Sequence, residues 1–247
     1  MLKILATADI HSPRFLDLFI KSLNKVKIRP DLIILAGDLV DKNNIYALKH
    51  VYEIIIDKYG KTPIISVFGN EEYRGFEDEY RKMYPVFKWL DDEYIILEIN
   101  GLKIGIIGTR GALDKPTPWQ SRHMPWLYRY YQELPSKISA LIDEARIKGA
   151  QYVFLVSHYG VTYKNLEGEP RNIWPYLASS RMEKIIKNKR IDLVIHGHAH
   201  NGVRDKINID GAEVYNVSLP ARREVVIIDF TPKSKVFGLE KWLHSGG

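Results

Sequence analysis

The chain has 247 residues, 45% hydrophobic and 27% charged, which is enough apolar material for a sizeable core under a charged surface. Cysteine is absent, which excludes disulfides, thiolate metal ligands and a cysteine nucleophile, and no run approaches the roughly 20 apolar residues a membrane-spanning helix needs. The formal charge of +6 suits a polyanionic partner such as nucleic acid, but Lys and Glu are both abundant, as in heat-adapted proteins, so charge alone leaves that partner open.

The opening "MLKILATAD" is too short an apolar run for a signal peptide and meets Asp9, so the expected location is the cytoplasm. This first run reads as a strand, Phe15 to Val26 as a helix, and "DLIILAGD" as a second strand. Ile45 to Tyr59 reads as a helix and "TPIISVFGN" as a third strand. Unbroken apolar runs of this kind suit strands buried on both faces, with helices as crossovers.

The pattern then changes. "YIILEINGLKIGIIG" places two strands around Asn100-Gly101, a strong hairpin signal, and "INIDGAEVYNVS" repeats it around Asp210-Gly211. Between them come a helix from Ile138 to Lys148, the strand "YVFLVSH", a helix from Ser180 to Lys189 and the strand "DLVIHGHAH". "EVVIIDF" adds a further strand, and the terminal "VFGLEKWLH" suits a short helix or a strand. No repeat or Ser/Gly-rich linker divides the chain, so residues 1–247 are expected to form a single α/β domain with mixed sheets packed face to face.

The buried strands end in polar residues. "ILATADIH" ends in Asp9 and His11, "DLIILAGD" in Asp38, "ISVFGN" in Asn70, "VFLVSH" in His158 and "LVIHGHAH" in His198 and His200. In open α/β sheets ligands bind beyond the carboxyl ends of the strands, so these residues are expected to converge. Singly, each has an ordinary explanation: an Asp after a strand caps a helix, an Asn turns the chain, a His packs. Together they form a chelating set of carboxylate, amide and imidazole donors, which suits Mn, Fe or Zn better than Ca or Mg. They are too many for one such ion. Two ions sharing a bridging carboxylate, roughly 3.5–4 Å apart, fit the number.

In order, Asp9-Ile10-His11, Gly37-Asp38-Leu39-Val40-Asp41, Gly69-Asn70, His158 and Gly197-His198-Ala199-His200 resemble the signature of the calcineurin-like metallophosphoesterase superfamily. The resemblance implies a four-layer αββα sandwich with two mixed β-sheets and a dinuclear site bridged by Asp38. Asp9, His11 and His200 would hold one ion beside Asp38, and Asn70, His158 and His198 the other. Asp41 would support the site or open a helix. His196 lies outside the motif and suits a buried, satisfied histidine. Manganese is the expected ion, with iron, zinc or nickel as alternatives. A tyrosine in place of Asp41 would have pointed to an Fe(III) site. The implied chemistry is attack of metal-activated hydroxide on phosphorus, with phosphodiesters preferred to phosphomonoesters. The alternatives are a DNA or RNA nuclease, a protein phosphatase, and a non-catalytic interaction scaffold.

One position departs from the pattern. Many relatives carry a histidine after Gly-Asn, near the leaving group, whereas this chain reads Gly69-Asn70-Glu71-Glu72. Glu71 could be a general acid, a substrate contact or a solvated carboxylate. The last is favoured, because an anion beside a phosphate repels it. Two aromatic and basic stretches suit a substrate cover or simple packing. One runs from Arg110 to Tyr131 and includes Trp119, Trp126 and Arg129, with Arg122 and His123 as the expected substrate contacts. The other brings Tyr159, Tyr163, Arg171 and Trp174.

Overall fold

The computed structural model describes residues 1–232. The stretch "VFGLEKWLH" lies outside the described residues.

Strands β1 (Leu2–Thr7), β2 (Leu32–Ala36), β3 (Ile64–Val67) and β4 (Lys88–Leu90) run parallel, and β11 (Val226–Phe230) closes the other edge antiparallel to β1. Their order is β11-β1-β2-β3-β4. A second sheet contains β5 (Glu93–Ile99), β6 (Leu102–Thr109), β7 (Tyr152–Ser157), β8 (Leu193–His196), β10 (Ala212–Asn216) and β9 (Lys206–Ile209), in that spatial order. Its centre is parallel, and β5 and β9 are antiparallel edges supplied by the two hairpins. Both hairpin turns hold two residues at positive φ, Asn100 with Gly101 and Asp210 with Gly211, the geometry that matches strand twist.

Side chains alternate between faces, which is why the apolar runs are unbroken. In the first sheet Ile4, Ala6, Ile34 and Ile65 face the second sheet, where they meet Ile106, Phe154 and Ile195. Leu5, Ile33, Leu35 and Ile64 face outward, under α1 (Leu16–Lys25), α2 (Leu48–Tyr59) and α3 (Glu77–Met83). On the far side Ile107, Val153, Leu155 and Val194 are covered by α5 (Leu127–Ile147), which follows the short α4 (Pro118–His123), and by α6 (Ser180–Asn188). The result is the expected αββα layering. A last short helix, α7 (Leu219–Arg222), leads into β11. Among the described residues no helix is long and apolar enough to cross a membrane.

Several elements differ from expectation. Helix α5 begins at Leu127 rather than Ile138 and carries Pro135 inside it. Its buried side chains Leu127, Tyr131, Leu134, Ile138, Ile142 and Ala145 keep helical spacing across the proline. Burial of that stripe outweighs the hydrogen bond the proline cannot donate. Helix α3 and strand β4 are too short to announce themselves by periodicity.

Candidate metal centre

Because β1, β2 and β3 are neighbours in one sheet and β7 and β8 in the other, their carboxyl ends bring distant residues together. Asp9, His11, Asp38 and His198 all adopt positive φ, between 43° and 68°. Non-glycine residues hold that conformation at a cost of about 1–3 kcal/mol each, and such residues gather at functional sites. Here the left-handed turn swings each side chain off the strand axis and into the space between the strand ends.

Two groups of ligand atoms result. Asp9, His11 and His200 have donor atoms within 4.8 Å of one another, as do Asp38, His158 and His198. Asp38 Oδ2 faces both, lying 3.8 Å from His11 Nε2 and 3.4 Å from His158 Nε2. Asn70 Oδ1 lies 3.1 Å from His158 Nε2, which adds an amide oxygen to the second group. Asp9 Oδ1 stands 3.4 Å from His200 Nε2, while its Oδ2 accepts the His198 N–H at 2.9 Å.

The fit of these residues to metal ions can be tested on their unmet lone pairs. Asp9 Oδ1, both His11 ring nitrogens and His200 Nε2 are buried without a hydrogen-bond partner. Buried polar atoms are nearly always paired, so the unmet lone pairs of Asp9 Oδ1, His11 Nε2 and His200 Nε2, close to one another, fit a group bound between them. The mixture of carboxylate oxygens and imidazole nitrogens suits a borderline divalent cation.

The electrostatics agree. Burial works against both carboxylates, yet His200 and His158 hold Asp9 below the usual carboxylate range, and His158 does the same for Asp38. Burial also works against a charged His158, but Asp38 and Asp9 raise it to about 9. Two buried carboxylates therefore demand compensating positive charge at this spot. His198 behaves differently: burial and the nearby His158 lower it to about 3, leaving a neutral ring with a free lone pair. His158 Nδ1 lies 3.0 Å from the Ala36 carbonyl, which can only accept, so Nδ1 carries a proton and Nε2 is the atom turned to the centre.

His196 stays outside the cluster. Its Nδ1 donates to the Gly197 carbonyl at 2.8 Å and its Nε2 accepts from Asn165 Nδ2 at 2.6 Å, so the buried ring is satisfied and, with burial lowering it to about 4, neutral. Asp41 lies 3.8 Å from His11 Nδ1. The nearest helical turn starts only at Ile45, so Asp41 does not cap it.

Sequence reasoning assigned no role to Glu72. Its buried carboxylate accepts four backbone N–H groups: Asp38 at 2.9 Å, Leu39 at 2.7 Å, Val40 at 3.1 Å and Gly69 at 2.7 Å. It ties the tip of β2 to the tip of β3. Gly69 is needed there because a Cβ would collide with the Asp38 carboxylate. Arg110 is buried behind the same loop, donating to the Gly69 carbonyl and, at 2.7 Å, to Glu77 Oε1. The basic side chain that opens the aromatic stretch thus braces the centre from within.

Glu71 is held by its surroundings. Its Oε2 accepts the Lys42 N–H at 2.7 Å, its Oε1 lies 3.3 Å from Asn70 Nδ2, and its own N–H donates to Asp38 Oδ1 at 2.7 Å. Beside it a cavity of about 610 Å³ opens onto Asn70 and His198. His123 lines this cavity, whereas Arg122 is exposed on α4 and is not part of its lining. Arg129 pairs with Glu133 on the surface. Of the second aromatic stretch Tyr159 reaches the cavity, while Tyr163 donates to Asp114 and Trp174 to the Glu169 carbonyl, as packing residues do.

Comparison with known proteins agrees with this architecture. The sequence pattern described as calcineurin-like phosphoesterase matches residues 2–202. No curated protein sequence matches the chain. Among solved structures, phosphopantetheinyl hydrolase from Mycobacterium tuberculosis superposes with a TM-score of 0.64 at 14% identity, covering 94% of this chain and 98% of its own. The calcineurin-like phosphoesterase YfkN from Bacillus subtilis gives 0.51 at 17% identity, covering 93% and 86%. A 5'-nucleotidase precursor from Thermus thermophilus gives 0.51 at 15%, covering 91% of this chain and 52% of the nucleotidase. At these identities the likeness is one of fold.

Proposed function

Given that the chain belongs to the calcineurin-like phosphoesterase family, we propose that it hydrolyses phosphate esters, phosphodiesters ahead of phosphomonoesters, at the centre between its strand tips. Asp9, His11 and His200 would hold one divalent ion and Asn70, His158 and His198 a second, with Asp38 shared and manganese as the first choice of metal. The observation that carries this reading is the position of Asp38 Oδ2, within 3.8 Å of a nitrogen from each group.

Ions bound there would make water acidic enough to supply a nucleophile near neutral pH and would offset negative charge on the phosphate oxygens. The chain's own residues do the positioning. The Glu71 N–H fixes Asp38 Oδ1, which leaves Oδ2 free for the shared role. The His198 N–H fixes Asp9 Oδ2 and leaves Oδ1 facing His200. The Ala36 carbonyl orients the His158 ring. The cavity beside Asn70 and His198 offers a place for an organic group of the ester. The absence of cysteine fits a cytoplasmic enzyme.

The test is metal analysis of the purified protein, followed by assays with bis-nitrophenyl phosphate, nitrophenyl phosphate, cyclic nucleotides and DNA. Two ions per chain and faster turnover of the diester are expected. A protein that binds no metal and hydrolyses none of these would leave the interaction-scaffold reading standing instead.

A further inference from the structure

The cavity beside the centre has the size of a small-molecule site, about 610 Å³, far more than a phosphate group fills. Asn70 and His198 belong both to the candidate metal centre and to the cavity lining, so a phosphate held between the strand tips would direct one of its ester groups into this space.

The chemistry of the lining is apolar and aromatic. Leu113, Leu127, Tyr131 and Tyr159 form buried surface, and Trp119 and Met124 lie nearer solvent. The Trp119 and His123 rings pair at 4.9 Å with planes only 32° apart, a flat platform on α4. The two arginines of the lining are already engaged. Arg110 is bound to Glu77 and to main-chain carbonyls, and Arg74 lies over the rings of Tyr130 at 4.7 Å and Trp126 at 5.5 Å. Glu71 adds a carboxylate to the lining. A polyanion needs cations spaced for its neighbouring phosphates. This lining offers instead a surface for an uncharged ring.

Resting on the phosphoesterase reading above, we infer that the substrate is a small phosphate ester whose organic group is uncharged and aromatic, and that this group occupies the cavity against Trp119, Met124 and Leu127. Oligonucleotides are thereby disfavoured despite the chain's net positive charge.

The experiment is calorimetric titration of the manganese-loaded protein with methylphosphonate, phenylphosphonate and naphthylphosphonate, each carrying one organic group. Phenylphosphonate is expected to bind at least tenfold more tightly than methylphosphonate, and naphthylphosphonate at least as tightly as phenylphosphonate. Trp119→Ala, at a side chain 61% exposed and so safe for folding, should shrink that gap severalfold. Met124→Glu should abolish it. Equal affinities for the three phosphonates, or a short DNA oligomer binding more tightly than phenylphosphonate, would overturn the inference. Because the readout is binding, a protein that hydrolyses no ester yet shows the gap refutes the enzymatic reading alone. One that hydrolyses bis-nitrophenyl phosphate without showing the gap refutes only the inference.

Discussion

The Glu72 carboxylate accepts the backbone N–H of Asp38 at 2.9 Å. With Leu39, Val40 and Gly69 it receives four N–H groups on two oxygens, which uses all its lone pairs. Burial and the Asp38 charge raise Glu72 to about 7, and the four donors pull the other way by favouring the anion. Glu72→Gln keeps the shape but turns an NH₂ group toward N–H donors. At least one buried donor is then unpaired, at about 1–3 kcal/mol. The variant should melt several degrees lower, and its manganese affinity should fall by about 10–100-fold, as when other supports of metal ligands are lost. Thermal melting and metal titration check this, and unchanged values in both would show that the β2 and β3 tips hold themselves.

Asp38→Asn tests the shared ligand. Its carbonyl oxygen can still accept the Glu71 N–H, so the fold should survive. The NH₂ group would then face His11 and His158, where the proposed centre calls for a bridging anion. Turnover of bis-nitrophenyl phosphate should drop by more than about a hundredfold with any metal, and metal analysis should show fewer than two ions per chain. Full activity would refute the bridging role.

Much of the centre was legible because buried strands write themselves as apolar runs, and each run here stops at a polar residue. The runs from Leu32 to Ala36 and from Tyr152 to Ser157 are unmistakable, and Asp38 and His158 follow them closely. What could not be read is the turn that aims each side chain. Positive φ at Asp9, His11, Asp38 and His198 is uncommon outside glycine, and the hydrogen bonds around it, such as Asp9 N–H to the Gly37 carbonyl and His11 N–H to the Asp38 carbonyl, come from distant parts of the chain. Glu72 escaped notice for the same reason: three of its four donors lie 32 to 34 residues away. In the sequence Arg110 only opens an aromatic and basic stretch, and the packing of the two sheets shows that it is buried behind the loop. The first turns of α5 were hidden by Pro135, although Leu127, Tyr131 and Leu134 already carried the helical spacing.

Glu71 stands where many relatives carry a histidine, and its hydrogen bonds favour anchoring over proton transfer. One oxygen is taken by the Lys42 N–H and the other faces Asn70 Nδ2. Glu71→Ala should therefore slow good and poor leaving groups by the same factor, a few-fold at most, within the roughly 1 kcal/mol of one hydrogen bond. The measurement is kcat across aryl and alkyl esters as a function of pH. Slowing confined to alkyl esters, with loss of an alkaline limb, would instead identify Glu71 as the acid that protonates the leaving group.

Away from the centre, Glu183 on α6 should make stability depend on acid pH. Burial pushes its carboxyl up, but the Thr162 hydroxyl at 2.6 Å and the Lys187 and Lys164 ammonium groups at 2.9 and 3.0 Å outweigh that and lower it to about 2. A carboxyl whose folded value lies below its unfolded one binds protons more readily when unfolded. Its contribution is thus fully present above the unfolded value of 4.5 and is lost as pH falls through about 2. The lysine partners are half exposed, so screening limits the contribution to about 1 kcal/mol. Glu183→Gln should melt a few degrees below the parent at pH 7, and the gap should close between about pH 5 and pH 2. Melting curves of both proteins across that range decide it, and a gap that stays constant with pH would mean that packing rather than charge holds α6 to Thr162.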